Sequence, residues 1–197
     1  MKILLATTNR FKVQEIREIL PDVDFYSISD FTDHWDVEEK GATFEDNSFL
    51  KAKTAAHYFG IISVADDSGL EIPILDNFPG VQSARFMEGH PFEDKMKAVL
   101  DRMAPFYEPE QRIARFRTVA TYYDPLTAQS FSSEGVVEGI IADRIAGNNG
   151  FGYDPIFIPK GFEQTFGELS DIVKNNFSHR SRAFQTLFDR IKAEVLS

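Results

Sequence analysis

Residues 61–70 read IISVADDSGL, an apolar run followed by two adjacent carboxylates, Asp66 and Asp67. The run Ile61–Ala65 predicts a buried strand, with the polar pair at its C-terminal end. Read alone, Asp67-Ser68-Gly69 makes a tight turn, because Asp and Ser side chains bond to nearby backbone and Gly accepts positive φ. A turn needs only one Asp, however, and neighbouring acids repel. Ligands of α/β sheets commonly bind at the carboxyl ends of strands, which makes the pair a candidate for chemistry.

The flanking sequence extends this reading into a fold. Upstream, Lys2–Ala6 predicts a buried strand, and Val13, Ile16, Ile19 and Leu20 recur at helical spacing until Pro21 ends the helix. A strand over Asp24–Ile28 and an acidic loop over Asp33–Lys40 follow. Thr43, with Asp46 three residues on, resembles a capping box for a helix whose buried face is Ala52, Ala55, Ala56 and Phe59, stopped by Gly60. Downstream, EDKMKAVLDRM (residues 93–103) predicts a helix, and residues 112–141 predict two long strands joined at DPLTA, which implies antiparallel pairing. A last helix from Ser178 carries Phe184, Leu187, Phe188, Ile191 and Val195 on one stripe. The expected fold class is α/β: a two-lobed mixed sheet with long antiparallel strands, flanking helices, and an active-site cleft between the lobes of one domain spanning 1–197.

Composition bounds the function. The chain has 197 residues, 43% apolar and 26% charged, as expected of one good-sized soluble domain. It contains no Cys, so neither a disulfide nor a thiolate metal site can form, which fits a cytoplasmic protein. The apolar run at the N-terminus is too short for a signal peptide, and no stretch approaches the roughly 18 apolar residues of a span, so no membrane partner is expected. A net charge of −10 argues against a nucleic-acid polymer as partner. A small phosphorylated ligand remains compatible, since a few local cations, backbone N–H groups and a metal ion suffice. The 19 Phe leave three uses open: core, stacking on a planar ligand, or a subunit contact.

Four segments hold polar residues that a core does not explain. In TTNRFK (7–12), hydroxyls and N–H groups at a helix N-terminus suit an anion, although Thr or Asn also serves as an ordinary N-cap. In EEKGATFEDNSFLKAK (38–53) and Thr54 beyond it, Asn47, Lys51 and Thr54 share a helical face, and Glu39 precedes the Gly41 turn. AGNNGFGYDP (146–155) has its glycines in the wrong order for a dinucleotide fingerprint, but they flank Phe151 and Tyr153, whose rings can stand beside a flat ligand. In KNNFSHRSRAF (174–184), His179, Arg180 and Arg182 fall in a first helical turn, where the macrodipole disfavours cations unless something anionic lies nearby.

Taken together, LATTNRFKVQEI, GATFEDNSFLKA, ADDSGLEI, FPGVQSARF, GFGYDPIF, TFGELS and KNNFSHRSRAF resemble, in order and over nearly the whole chain, the inosine triphosphate pyrophosphatase family. One departure is TTN, where many relatives have Thr-Gly-Asn. The resemblance implies a homodimer that uses Mg²⁺ to hydrolyse non-canonical purine nucleoside triphosphates (ITP, dITP, XTP) to monophosphate and pyrophosphate. It further implies that Thr7, Thr8, Asn9, Arg10, Phe11 and Lys12 hold phosphates with Lys51, and that Glu39, Asp66 and Asp67 serve the metal, Asp67 also being the catalytic base. Ser68 and Arg85 would contact substrate, and Phe151, Gly152, Tyr153, Asp154, Lys174, His179 and Arg180 would form the base pocket. On this reading the adjacent carboxylates become oxygen ligands for a hydrated cation. Two alternatives stay open: a phosphohydrolase that uses an aspartyl-phosphate, disfavoured because the first strand ends in ATTN, and a nucleotide-binding module without turnover.

Overall fold

The computed structural model describes residues 2–35 and 37–195. Its strands are β1 (Ile3–Leu5), β2 (Phe25–Ser27), β3 (Ser63–Ile72), β4 (Phe78–Pro79), β5 (Ile113–Tyr123), β6 (Ser130–Ile141) and β7 (Phe157–Pro159). The helices are α1 (Arg10–Ile19), α2 (Phe44–Phe59), α3 (Phe92–Met103), α4 (Asp171–Asn175) and α5 (His179–Glu194). Seven strands make one open mixed sheet in the order β2-β1-β3-β5-β6-β7, with β4 paired to β3. β1 runs parallel to β2 and β3, whereas β3–β4 and β6–β7 are antiparallel. β5 and β6 are sheet neighbours joined through a short turn in which Asp124 N–H donates to the Gln129 carbonyl at 3.0 Å. A parallel crossover needs a dozen or more residues, so this is the antiparallel hairpin expected at DPLTA. No helix among the described residues is long and apolar enough to cross a membrane.

The chain divides into two compact units whose boundaries fall inside β3, β5 and β6 and at the start of α5. The first comprises Met1–Ser68, Thr118–Gly135 and His179–Ser197. Successive strand side chains point to opposite faces, and this unit uses both. On one face, Ile3, Leu5 and Val64 pack with Ile16 of α1 and Phe184, Leu187 and Phe188 of α5. On the other, Leu4, Ala6 and Ala65 pack with Ala52, Ala55 and Ala56 of α2. Small side chains there let α2 lie close to the sheet. Thr43 caps α2 by accepting from Asp46 N–H at 3.1 Å, and Gly60 ends it in the left-handed region at φ 67°.

The second unit comprises Gly69–Arg117 and Val136–Ser178. Its core joins Leu70 and Ile72 of β3, Met96, Val99 and Met103 of α3, and Phe116, Phe157 and Phe166. Phe116 meets Phe157 edge-on at 4.7 Å between ring centroids, so part of the phenylalanine excess is core.

One expectation needs correction. The Asp pair does not end a strand: β3 runs for ten residues, Ser63 to Ile72, straight through Asp66 and Asp67, and Ser68-Gly69 makes no turn. All of its residues except Ser68 are buried, so pairing on both sides outweighs the local turn preference of Asp-Ser-Gly. The consequence is geometric. Asp66 shares the Val64 face, toward α1 and α5, and Asp67 shares the Ala65 face, toward α2.

Candidate active site

On the Asp66 face, two helix starts converge. Asn9 caps α1, its Oδ1 accepting from Phe11 N–H at 3.0 Å and Lys12 N–H at 3.3 Å, while Thr7 Oγ1 accepts from Asn9 N–H at 3.2 Å. That start places Lys12 in the first turn with Nζ 3.0 Å from Asp66 Oδ2. Thr8 needs no glycine-like backbone, because the positive-φ non-glycine residues described are Asp76, Asn77, Met87 and Ala128. At the start of α5, Arg180 is 1% exposed, and its Nε and Nη2 each lie 3.3 Å from Asp66 Oδ2. Nη2 also donates to Ser68 Oγ at 3.1 Å, and Nη1 pairs with buried Glu15 of α1. Ser68 Oγ donates to Asp66 Oδ2 at 2.6 Å.

The electrostatic result is a fixed anion. Burial alone would raise the Asp66 pKa, but Lys12 and Arg180, helped by the Ser68 hydroxyl, hold it far below the usual carboxylate range. Burial pushes the Lys12 ammonium down against the pull of Asp66. These acids also offset the cost of placing Arg180 at a helix N-terminus. The start of α5 can approach β6 because residue 135 is Gly: a Cβ there would overlap the His179 carbonyl oxygen and lie 2.6 Å from Ala183 N.

On the Asp67 face, α2 presents Asn47 and Lys51 one turn apart. Asn47 is fully buried; its Nδ2 donates to Asp67 Oδ2 at 3.0 Å and its Oδ1 accepts from Gly41 N–H at 2.8 Å. Lys51 Nζ lies 2.5 Å from Glu39 Oε1 and 3.6 Å from Asp67 Oδ1. Burial pushes the Asp67 carboxyl up, against the pull of Lys51 and Lys12, and Glu39 adds to the rise. Burial works to lower Lys51, yet Asp67 and Glu39 together hold it raised. Asp67 is therefore the better proton acceptor of the two aspartates.

The donors also bear on a metal. Glu39 and Asp67 direct oxygens at one cationic atom, Lys51 Nζ, so a common position is electrostatically suited to positive charge. Among the described residues no group of three or more His, Cys, Asp or Glu could hold an ion. Two carboxylates completed by water and phosphate oxygens fit Mg²⁺, which keeps much of its hydration. Asp66 faces the other way; its Oδ2 is taken by Lys12, Arg180 and Ser68, and its Oδ1 is buried with no hydrogen-bond partner among the described residues.

In the second unit, the glycine-rich segment folds around Asp154. Its Oδ2 accepts from Phe151 N–H at 2.8 Å and from Lys174 Nζ at 2.8 Å, with both side chains of the ion pair 3% exposed. Gly150, at φ +68°, allows this, since a Cβ there would overlap Asp154 Oδ2. Lys174 Nζ stands 5.2 Å from the Phe151 ring centroid. Tyr153 donates to the Ser83 carbonyl at 3.0 Å, and burial raises its pKa. A Cβ on Gly152 would come into ordinary contact with the Phe92 ring, at 3.7 Å. Arg85 Nη2 donates to the Val81 carbonyl at 3.0 Å.

The first unit thus brings together Lys12, Asp66, Ser68 and Arg180 on one face of β3, and Glu39, Lys51 and Asp67 on the other. Thr8, Arg10 and Phe11 are exposed, and His179 is buried. Sequence reading missed Glu15 and Gly135, and gave Asn47 no role in the site. Glu15 carried a signal, an acid three residues from Lys12 on the buried side of α1. Asn47 had its i, i+4 relation to Lys51. Gly135 had none beyond being a glycine in a strand.

The chain is similar to known proteins over nearly its whole length. A model of the Ham1 family matches residues 3–190. A protein of Elusimicrobium minutum named dITP/XTP pyrophosphatase is 42% identical, covering 98% of this chain and all of its own. A Desulforamulus reducens protein of the same name is also 42% identical, covering 94% of this chain and 92% of its own. Among solved structures, the Staphylococcus aureus Ham1 protein superposes with a TM-score of 0.86 at 35% identity, covering 98% of this chain and 100% of its own. A dITP/XTP pyrophosphatase from Mycobacterium abscessus gives 0.75 at 38% identity, covering 95% and 98%.

Proposed function

We propose, from the premise that this chain belongs to the Ham1 family, that it hydrolyses the non-canonical purine nucleoside triphosphates ITP, dITP and XTP to monophosphate and pyrophosphate. The observation that carries the reading is the Asp67 carboxylate, raised by burial and set beside Lys51 and Glu39. Asp67 takes a proton from water as the water oxygen bonds to one of the two phosphorus atoms flanking the α–β bridging oxygen. The bond from that phosphorus to the bridging oxygen breaks, giving monophosphate and pyrophosphate. Lys51, with Lys12 and the start of α1 over residues 7–12, offsets phosphate charge. Glu39 and Asp67 would hold Mg²⁺, which when bound supplies charge neutralisation and a more acidic water.

In this reading Phe151–Asp154 and Lys174 of the second unit receive the purine. Arg180 is assigned a different task, holding Asp66, because its guanidinium is engaged by Asp66, Ser68 and Glu15. A homodimer belongs to the proposal and is checked by analytical ultracentrifugation, where a monomer at assay concentration would contradict it.

Selectivity follows from one atom. Hypoxanthine and xanthine present a keto oxygen at C6, whereas adenine presents a donor there. A fixed donor in the pocket can discriminate by roughly 10⁴-fold on that basis. Guanine shares the keto group and is rejected only through its 2-amino group. The expected order of kcat/KM is ITP and XTP highest, GTP poor, ATP poorest. Steady-state kinetics on the four nucleotides with Mg²⁺ test this, and equal hydrolysis of ITP and ATP contradicts it.

A further inference from the structure

We infer that Asn47 is a positioning residue for the reaction, acting through Asp67. This rests on the catalytic role proposed for Asp67. The side chain is fully buried on α2, and both ends of its carboxamide are engaged. Nδ2 donates to Asp67 Oδ2 at 3.0 Å, and Oδ1 accepts from Gly41 N–H at 2.8 Å. Gly41 lies two residues after Glu39, so one rigid amide ties the Asp67 carboxylate to the segment that carries Glu39. The approach is close: a Cβ on Gly41 would come within 2.6 Å of both Asn47 Oδ1 and Asp46 Cβ.

The amide also selects which Asp67 oxygen works. Holding Oδ2 on Asn47 leaves Oδ1, which accepts from Ser68 N–H at 3.1 Å and lies 3.6 Å from Lys51 Nζ, as the oxygen on the Lys51 and Glu39 side. A carboxylate free to rotate about its terminal torsion, which is broad, would present neither oxygen in a fixed direction. Near-attack geometry is sensitive to this: a misplacement of about 1 Å can cost on the order of 100-fold in rate. Asn is the residue type required, because it donates to a carboxylate with one end and accepts from a backbone N–H with the other.

Two substitutions separate positioning of Asp67 from mere support of the Gly41 segment. Asn47→Ala removes both hydrogen bonds. Asn47→Asp, assayed at alkaline pH where both carboxyls are ionised, keeps the shape and the acceptor for Gly41 N–H but turns an acceptor toward Asp67. Steady-state pyrophosphate release from dITP is measured for both, with thermal midpoints recorded to identify any variant unfolded at assay temperature. The expected result is a fall in kcat of roughly 30- to 100-fold in both variants with KM within about threefold of the unmodified protein. Should Asn47→Ala be unfolded, Asn47→Asp is read alone. Restoration of kcat to within about threefold by Asn47→Asp, or a loss confined to KM, overturns the inference. Failure of the unmodified protein to release pyrophosphate overturns the proposed function instead, and the two failures are distinguished by that control.

Discussion

Replacing Asp66 and Asp67 in turn by Asn separates what their opposite faces imply. Asp66→Asn leaves Lys12 and Arg180, both now short of their shared anion, facing each other in a buried site. Breaking a buried pair in this way costs about 3–5 kcal/mol, so the thermal midpoint should fall clearly. Asp67→Asn removes a charge that burial disfavours, so the midpoint should hold or rise while kcat falls by about 10³-fold. Scanning calorimetry with steady-state kinetics checks both; an unchanged midpoint for Asp66→Asn, or near-normal kcat for Asp67→Asn, contradicts the assignment. The pH dependence has opposite signs for the two. The depressed Asp66 pKa contributes stability that is present above about pH 4, the unfolded range, and is lost as pH falls toward its folded value. The raised Asp67 pKa makes folding less favourable as pH rises through the unfolded and then the folded value. Asp66→Asn should therefore flatten the acid limb of the stability curve, and a limb of unchanged steepness would contradict it. Much of this was legible from residue types: two adjacent acids, a lysine in a first helical turn, an arginine where the dipole disfavours it. Glu15 and Asn47 were less so, because a buried Glu or Asn is recognised by its partner, and both partners, Arg180 and Asp67, are distant in sequence.

Among the elements, α1 and α2 were legible because Asn9, Thr43 and Gly60 act locally, whereas the short α4 was not foreseen. The length of β3 was not legible. Asp-Ser-Gly is local turn chemistry, and it was overridden by sheet neighbours contributed from other parts of the chain. The α5 start depends on Gly135, and Gly135→Ala should force the helix from β6, costing about 1–3 kcal/mol or more by overpacking. A denaturant midpoint unchanged in that variant would show the contact to be slack. Lys51 is held on α2 between two carboxylates, one turn from Asn47. Lys51→Ala should raise KM for triphosphate by about 10- to 100-fold, a charge-assisted bond's worth, with a much smaller change in monophosphate inhibition. Equal losses for the two ligands would remove phosphate as the partner of Lys51.

At the scale of the molecule, the mixed sheet with flanking helices was readable because strand and helix periods are local, and the match over residues 3–190 places the whole arrangement in one family. The three candidate activities differ in which bond breaks. An aspartyl-phosphate hydrolase would release orthophosphate, a binding module would release nothing, and the chemistry assigned to Asp67 releases pyrophosphate. Phosphorus NMR of dITP incubated with the protein and Mg²⁺ reads all three directly. Deoxyinosine monophosphate and pyrophosphate are expected in equal amounts from the first time point, with no orthophosphate and no diphosphate; orthophosphate with deoxyinosine diphosphate, or unchanged dITP, would rule out the chemistry assigned to Asp67.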